Sequence, residues 1–404
     1  MFKRTLPFTI SKGAISLTFI FLLIEFFDEL HYAISGAVLP SLRADLDLSY
    51  AQVGLLLGLP HILGTLIEPF LMLLGDTRLR KHLVVGGGLT IILAVFMIAN
   101  TGSFPALLAA FIIAFPASGA FVTLSQATLM DLNPGREPHM MARWTVAGSL
   151  GNLFGPLIVA AGFALAFGWR WVFLALAVFA TALLLLILPR RFPPHPAAGE
   201  TGKAEGMDGV KQLVRNIGTT ARNLNLLRWI LLLQLSDLLL DVFTGFVPLY
   251  FTDVAGMSPV QTSLVLTVLM LASLAADVLL IPVLERFPGR GVVRASALVS
   301  IGVYATWLLA PWPLVKIILL VILRFSTLGW YPVLQGEAYA SVPGRSGTVM
   351  AISSIGGLLG GSMISLIGWI AGQAGLPAAM WLLLLGPVSL ALFVPRPAPA
   401  TRDT

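Results

Sequence analysis

The sequence predicts an all-α integral membrane protein whose twelve membrane-spanning helices form two pseudo-symmetric six-helix bundles. Three observations predict it. Of 404 residues, 57% are apolar and only 11% are charged, against roughly 25% charged in a soluble domain. Apolar stretches of about 20 residues recur along the chain, each long enough to cross a ~30 Å hydrocarbon core. The chain also repeats itself. A shift equal to the separation of Asp28 and Asp237 aligns roughly residues 25–155 with 234–364 without a gap. Gly36 then falls on Gly245, Ser49 on Ser258, Gln52 on Gln261, Gln126 on Gln335, and Pro134-Gly135-Arg136 on Pro343-Gly344-Arg345. Gly148 and Gly151 fall on Gly357 and Gly360, while Glu68 matches Asp277 and Asp76 matches Glu285 in kind. Long repeats in apolar chains are a common construction of membrane transporters.

In chain order, the apolar runs place spans near 14–39, 50–74, 83–101, 104–130, 140–166 and 170–188 in the first half. The second half places them near 228–251, 260–284, 292–310, 313–339, 347–372 and 376–394. Pro60, Pro69, Pro156, Pro282 and Pro332 lie inside spans, where bundled neighbours re-satisfy the freed backbone groups. The domains are therefore 1–188, a polar linker 189–227 with a surface helix around Val210–Leu224, 228–394, and a disordered tail 395–404.

Orientation follows the Lys/Arg asymmetry. Lys3/Arg4/Lys12, Arg78/Arg80/Lys81, Arg136/Arg143, Arg190 through Arg228, Arg286/Arg290/Arg294, and Arg345 with the tail share one side. The alternate loops hold only Arg43, Arg170 and Lys316. Both termini are expected in the cytoplasm, with the protein in the cell (inner or plasma) membrane. The first apolar segment is too long and too acidic for a cleaved signal peptide. The net charge of +6 is dispersed over short loops, which argues against nucleic acid as a partner. Absence of cysteine removes disulfides, thiolate metal sites and cysteine nucleophiles. No nucleophile–base constellation, phosphate-cradling loop or nucleotide motif is visible, so an enzyme is not expected, nor a cofactor.

Short motifs sharpen this reading. Asp76, Arg80 and Lys81 fit a loop of the form G-x-x-x-D-R-x-G-R-K after the second span, with Met72, Thr77 and Leu79 replacing its first Gly, first Arg and second Gly. Glu285 to Arg290 is a degenerate copy. Gly151-Asn152-Leu153-Phe154-Gly155-Pro156 fits G-x-x-x-G-P in the fifth span, and Gly168-Trp169-Arg170-Trp171 precedes the sixth. The chain thus resembles the major facilitator superfamily of secondary transporters. The fifth-span motif is similar to that of its drug:proton antiporters. Asp28, Leu39-Pro40 and Leu48-Ser49-x-x-Gln52-x-Gly54 resemble the fosmidomycin-resistance group. The resemblance implies that helices 1, 4, 7 and 10 line a central cavity, so Asp28 and Asp237 would face each other across it. It also implies a cytoplasmic latch of Asp76, Arg80 and Lys81, with Asp131 and Arg143 as available partners, and a hinge or packing role for Gly151, Gly155 and Pro156.

Chemistry is expected where charge is costly. Span 1 carries Glu25, Asp28, Glu29 and His31, which project within a sector of about 160° at ~100° per residue. Span 7 carries Gln234, Asp237 and Asp241 on one face. An ionisable group at membrane depth costs at least ~2.5–3.5 kcal/mol and marks function by default. The plainer reading is that these acids only pair with cations or line water-filled gaps. His31 and His61 read as hydrogen-bonded packing residues, with proton relay as the alternative; the residues point to no metal site. Arg324 stands inside span 10, where its repeat partner is Phe115. It either forms a permanent ion pair with an acid of span 7 or 1, tunes a carboxylate, or binds an anionic group. Glu68 and Asp277 divide between gate support and a proton pathway.

The expected activity is proton-coupled export of a small organic compound, cationic or amphipathic, by alternating access. Uptake of an organic anion or nutrient through Arg324, and lipid translocation, are the alternatives. The implied partners are a small-molecule substrate, protons and the lipid bilayer, and the chain is read as a monomer.

Overall fold

The computed structural model describes residues 16–75, 79–133, 137–192, 223–342 and 346–395. They form helical rods with no strand among them. In the first half these are α1 (Leu17–Asp45), α2 (Tyr50–Gly75), α3 (Arg80–Asn100), α4 (Phe104–Asp131), α5 (Glu137–Ala164) and α6 (Trp169–Ile187). The second half holds α7 (Leu224–Val254), α8 (Pro259–Arg286), α9 (Gly289–Leu309), α10 (Pro313–Ser326 continued by Trp330–Ala340), α11 (Ser346–Ala374) and α12 (Leu376–Phe393). Every expected span is a helix. Eleven are long and apolar enough to cross a membrane; α1 is long enough but carries Glu25, Asp28 and Glu29 within its span. Most of the expected linker and tail, including much of the Val210–Leu224 segment, lies outside the described residues.

The repeat has a local physical cause at two helix starts. Ser258 and Gln261 form a capping box on α8, with Gln261 N–H donating to Ser258 Oγ at 3.3 Å and Ser258 N–H to Gln261 Oε1 at 2.9 Å. Their repeat partners do the same on α2: Gln52 N–H donates to Ser49 Oγ at 3.2 Å and Ser49 N–H to Gln52 Oε1 at 2.9 Å. Each pair satisfies two amides that the start of the helix would otherwise leave without a partner in the protein.

The cavity-lining helices are irregular. In α4 a π-helical turn covers Gly119–Thr123, and in α7 two such turns cover Leu238–Val242 and Tyr250–Val254. In α10 the helix breaks over Thr327–Gly329, where Gly329 adopts φ +76°. The α4 turn and the α10 break stand at matched positions of the repeat, and π-turns commonly mark functional positions.

The halves meet through α2 against α11 and α5 against α8. At the first seam a Cβ on Gly54 would lie 2.8 Å from Gly368 Cα, and one on Gly58 would lie 2.4 Å from the Gly361 carbonyl oxygen. Only small residues allow backbones so close, and in lipid this dispersion contact is a main source of helix association. Lys316, expected in a loop, is instead buried at 5% exposure. Its ammonium donates to Tyr250 Oη at 3.1 Å and to the last-turn carbonyls of Trp307 and Leu308 on α9. A cation at a helix C-terminus is favoured by the helix dipole, which explains a buried lysine outside any cavity described below.

Candidate functional site

Two cavities between the halves hold the candidate chemistry. A polar one of about 320 Å³ is lined by Glu29 of α1, Asn152 of α5, Asp241 of α7, Ser273 of α8 and Arg324 of α10. An apolar one of about 310 Å³ is lined by Tyr32, Leu57, Phe115, Leu266 and Ile364, among others. Asn152, Thr244 and Met270 line both, so the two spaces adjoin. Each falls in the range of small-molecule sites, ~300–1,000 Å³.

Glu29 and Asp241 are within electrostatic reach of each other across the halves. Asn152 Nδ2 donates to Glu29 Oε2 at 2.8 Å. Asp241 sits in the first π-turn of α7, accessible from the cavity, and has Arg324 and His61 as electrostatic neighbours. Arg324 Nε donates to Ser273 Oγ at 2.6 Å. The acid of α7 expected beside Arg324 is therefore Asp241.

Asp28 and Asp237 do not meet as expected. Asp28 Oδ1 accepts from Ser118 Oγ at 2.6 Å, inside the first half, and Glu29 and Glu68 are its electrostatic neighbours. Asp237 lines a smaller cavity of about 170 Å³ in the second half with Asp241, Arg324 and Tyr331, and this space adjoins the polar cavity through Leu240, Asp241 and Arg324. Asp237 stands just before the first π-turn of α7 and lines only the smaller cavity, whereas Asp241, inside that turn, lines the smaller and the polar one. Glu25 is buried at 8% exposure against α5. Glu68 packs on the α4 π-turn, where a Cβ on Gly119 would lie 3.1 Å from Glu68 Oε1. His31 is not hydrogen-bonded as the sequence suggested. Its ring stacks on Phe27 at 6.3 Å, and both ring nitrogens are buried without a partner.

Comparison with known proteins agrees with this architecture. The family model of the Major Facilitator Superfamily matches residues 21–365. The chain belongs to the Major Facilitator Superfamily. It is a membrane transporter and not an enzyme. The crystal structure of the nucleoside transporter NupG is similar, with a TM-score of 0.72 at 16% identity over 93% of this chain and 98% of that one. A bacterial homolog of the human lysosomal transporter Spinster, in an inward-facing and occupied conformation, gives 0.71 at 17% identity over 94% and 95%. The peptide transporter POT in complex with sulfate gives 0.69 at 15% identity over 93% and 94%. At such identities the likeness concerns the fold alone. No curated protein sequence matches the chain.

The superfamily's loop after the second helix is partly described. Asp76 lies outside the described residues, and so do the side chains of Asp277 and Glu285. Arg80 is buried at 7% exposure, pairs with Asp131 at the end of α4, and donates through Nε to the Gly75 carbonyl at 2.6 Å. Lys81 Nζ donates to the Leu188 carbonyl at 2.9 Å. Arg143 is exposed on α5. The second half has an ion pair of its own, not matched by the repeat, between Arg290 and Glu337, joined by two bonds of 2.5 Å. Sequence reading named Arg290 but missed Glu337, whose place in α10 beyond the break gave no periodic signal. Both pairs lie within one half.

On the opposite face the halves are joined. Arg43 Nη1 reaches Asp253 Oδ2 at 2.7 Å, and Tyr50 Oη donates to the same oxygen at 2.9 Å. Arg43 also lies over the Tyr50 ring at 4.1 Å. Arg43 entered the sequence reading only as a loop charge. Gly151 and Gly155 turn toward α1, where a Cβ on Gly151 would lie 2.4 Å from the Phe26 carbonyl oxygen and one on Gly155 2.5 Å from Ala33 Cβ. Pro156, next to Gly155, lines the apolar cavity.

Proposed function

We infer that the protein couples proton movement to export of a small organic solute, cationic or amphipathic, by alternating access. The observation that carries this reading is the polar cavity at the seam, where Glu29 and Asp241 outnumber Arg324. Two carboxylates against one guanidinium favour a cationic group on the solute. Beside this cavity, Glu25, Asp28 and Glu68 form a second acidic group within the first half, with Glu29 in electrostatic reach of Glu25 and Asp28. Asp28 and its neighbours then carry the proton, and Glu29 senses whether that proton is present. A carboxylate group that loads a proton on one side and releases it on the other turns a gradient into solute movement.

The Lys/Arg-rich face is taken as cytoplasmic, in the cell membrane, with a monomer as the working unit. The Arg43–Asp253 junction then closes the external side. Everted vesicles should show solute-driven dissipation of a pH gradient, and Asp28→Asn should abolish it. Undiminished dissipation in that variant would remove the proton role.

A second reading rests on the hydrogen bond from Arg324 to Ser273, which shapes a donor wall suited to an anionic group. Uptake of an organic anion would then be lost in Arg324→Gln, whereas a cation exporter would retain solute binding.

A further inference from the structure

The close-packed glycines here have an evident reason to be glycine; among the helical ones with open space around them, including Gly86, Gly302 and Gly336, Gly36 and Gly245 are matched by the repeat. Gly54, Gly58, Gly151 and Gly155 admit a neighbouring helix, and Gly329 takes a positive φ. Gly36 of α1 and Gly245 of α7, matched by the repeat, do neither. A Cβ on Gly36 would meet nothing within 4 Å, and one on Gly245 would meet only Leu57 Cδ1 at 3.8 Å. Both lie inside helices, where glycine is less stable than alanine. What they share is a cavity: both line the apolar chamber of about 310 Å³. Their missing side chains keep that chamber open on the two sides of the seam.

The chamber adjoins the polar cavity through Asn152, Thr244 and Met270. Its other walls include Tyr32, Phe115, Leu266 and Ile364. From this juxtaposition we propose that the two spaces form one bipartite site for an amphipathic monocation. The cationic head lies between Glu29 and Asp241, and the apolar body enters the chamber whose depth is set by Gly36 and Gly245. The head-group part rests on the function inferred above, and the chamber part rests on the glycines alone. Arg324, held by Ser273, offsets one of the two carboxylates, which leaves a net negative charge for the head.

The test uses purified protein in nanodiscs and protonated n-alkylamines from butylamine to octylamine, with affinities from titration calorimetry. In the unaltered chain affinity should rise about fourfold per methylene, the value for burying a CH₂, and then level off. In Gly36→Leu and Gly245→Leu the levelling should come at a shorter chain. Gly36→Ala and Gly245→Ala, whose methyl groups fit without contact closer than 3.8 Å, should shift it in the same direction by less. They decide the matter if the leucine variants fail to fold. A flat dependence on chain length, or one unaltered in all four variants, overturns the chamber. Butylamine binding unaltered in Glu29→Gln overturns the head-group reading while leaving a chain-length result standing. Tighter binding of alkyl carboxylates than of amines of equal length overturns the cationic assignment.

Discussion

The two halves share a scaffold and differ where they face each other. Phe115 and Arg324 occupy matched positions of the repeat, yet Phe115 walls the apolar chamber and Arg324 the polar one. Tyr32 and Asp241 are likewise matched, and they divide between the same two spaces. The positions that the repeat preserves stay at home: Asp28 bonds to Ser118 in its own half, and Asp237 lines a cavity of its own half. Glu29 and Asp241, which do approach each other, are not repeat partners. Duplication therefore built the bundles, and departures from it made a cavity that is apolar at one end and charged at the other.

The largest effect should come from erasing that asymmetry. Asp241→Asn or Glu29→Gln should weaken solute binding at least about thirtyfold, since truncating one partner of an enclosed charge pair costs ~2–5 kcal/mol. Asp237→Asn, the repeat-preserved acid, should change affinity far less. Titration of the three variants with one cationic solute measures the difference, and equal losses at Asp237 and Asp241 would break the comparison. Thermal melting should separate these effects from folding. Asp241 is exposed to the cavity, so removing its charge should cost no more than ~1 kcal/mol of stability.

Much of the fold was legible because lipid imposes a single demand, about 20 apolar residues per crossing. Seam glycines such as Gly54, Gly58 and Gly368 were visible as letters, but the contact they permit depends on which helices pair. The site was legible in kind and not in register. Glu29, Asp241 and Arg324 were all singled out as charges at depth, yet the first pairing chosen was Asp28 with Asp237. Two features hid the true arrangement. The π-turn at Leu238–Val242 shifts the helical phase, and no apolar periodicity reports it. The repeat itself drew attention to matched residues, whereas the seam uses unmatched ones. Ser49 and Ser258 show the converse: their match was plain, and its cause, a capping box at each helix start, emerged only from the backbone.

A smaller effect contrasts matched glycines. Gly151 and Gly360 are repeat partners, but their surroundings differ. A Cβ on Gly151 would lie 2.4 Å from a backbone oxygen of α1, while one on Gly360 would lie 3.6 Å from Gln234 Oε1. Gly151→Ala should therefore destabilise by ~1–3 kcal/mol through overpacking. Gly360→Ala should be neutral or should stabilise by ~0.5–1 kcal/mol through helix preference. Melting temperatures of the two variants in one detergent check the contrast; equal shifts would show that α1–α5 relaxes as easily as α7–α11.

The smallest effect concerns the one described ion pair that bridges the halves. Arg43 and Asp253 retain side-chain exposures of 26% and 20%, so their contact is worth ~1 kcal/mol or less. A difference of that size shifts a two-state equilibrium by about fivefold. The pair is present with the halves joined on its face, and opening there must break it together with the Tyr50 bond. Asp253→Asn should therefore raise the population opened on that side by up to about fivefold, and Arg80→Gln, which breaks a pair within one half, should not. The chain has no cysteine, so a single Ser149→Cys in the polar cavity reports access without background. Labelling by a membrane-impermeant maleimide, compared between right-side-out and everted vesicles, should rise from the Arg43 side in Asp253→Asn. Unaltered labelling from that side would mean that the glycine seam of α2 and α11, and not the ion pair, holds the halves together there.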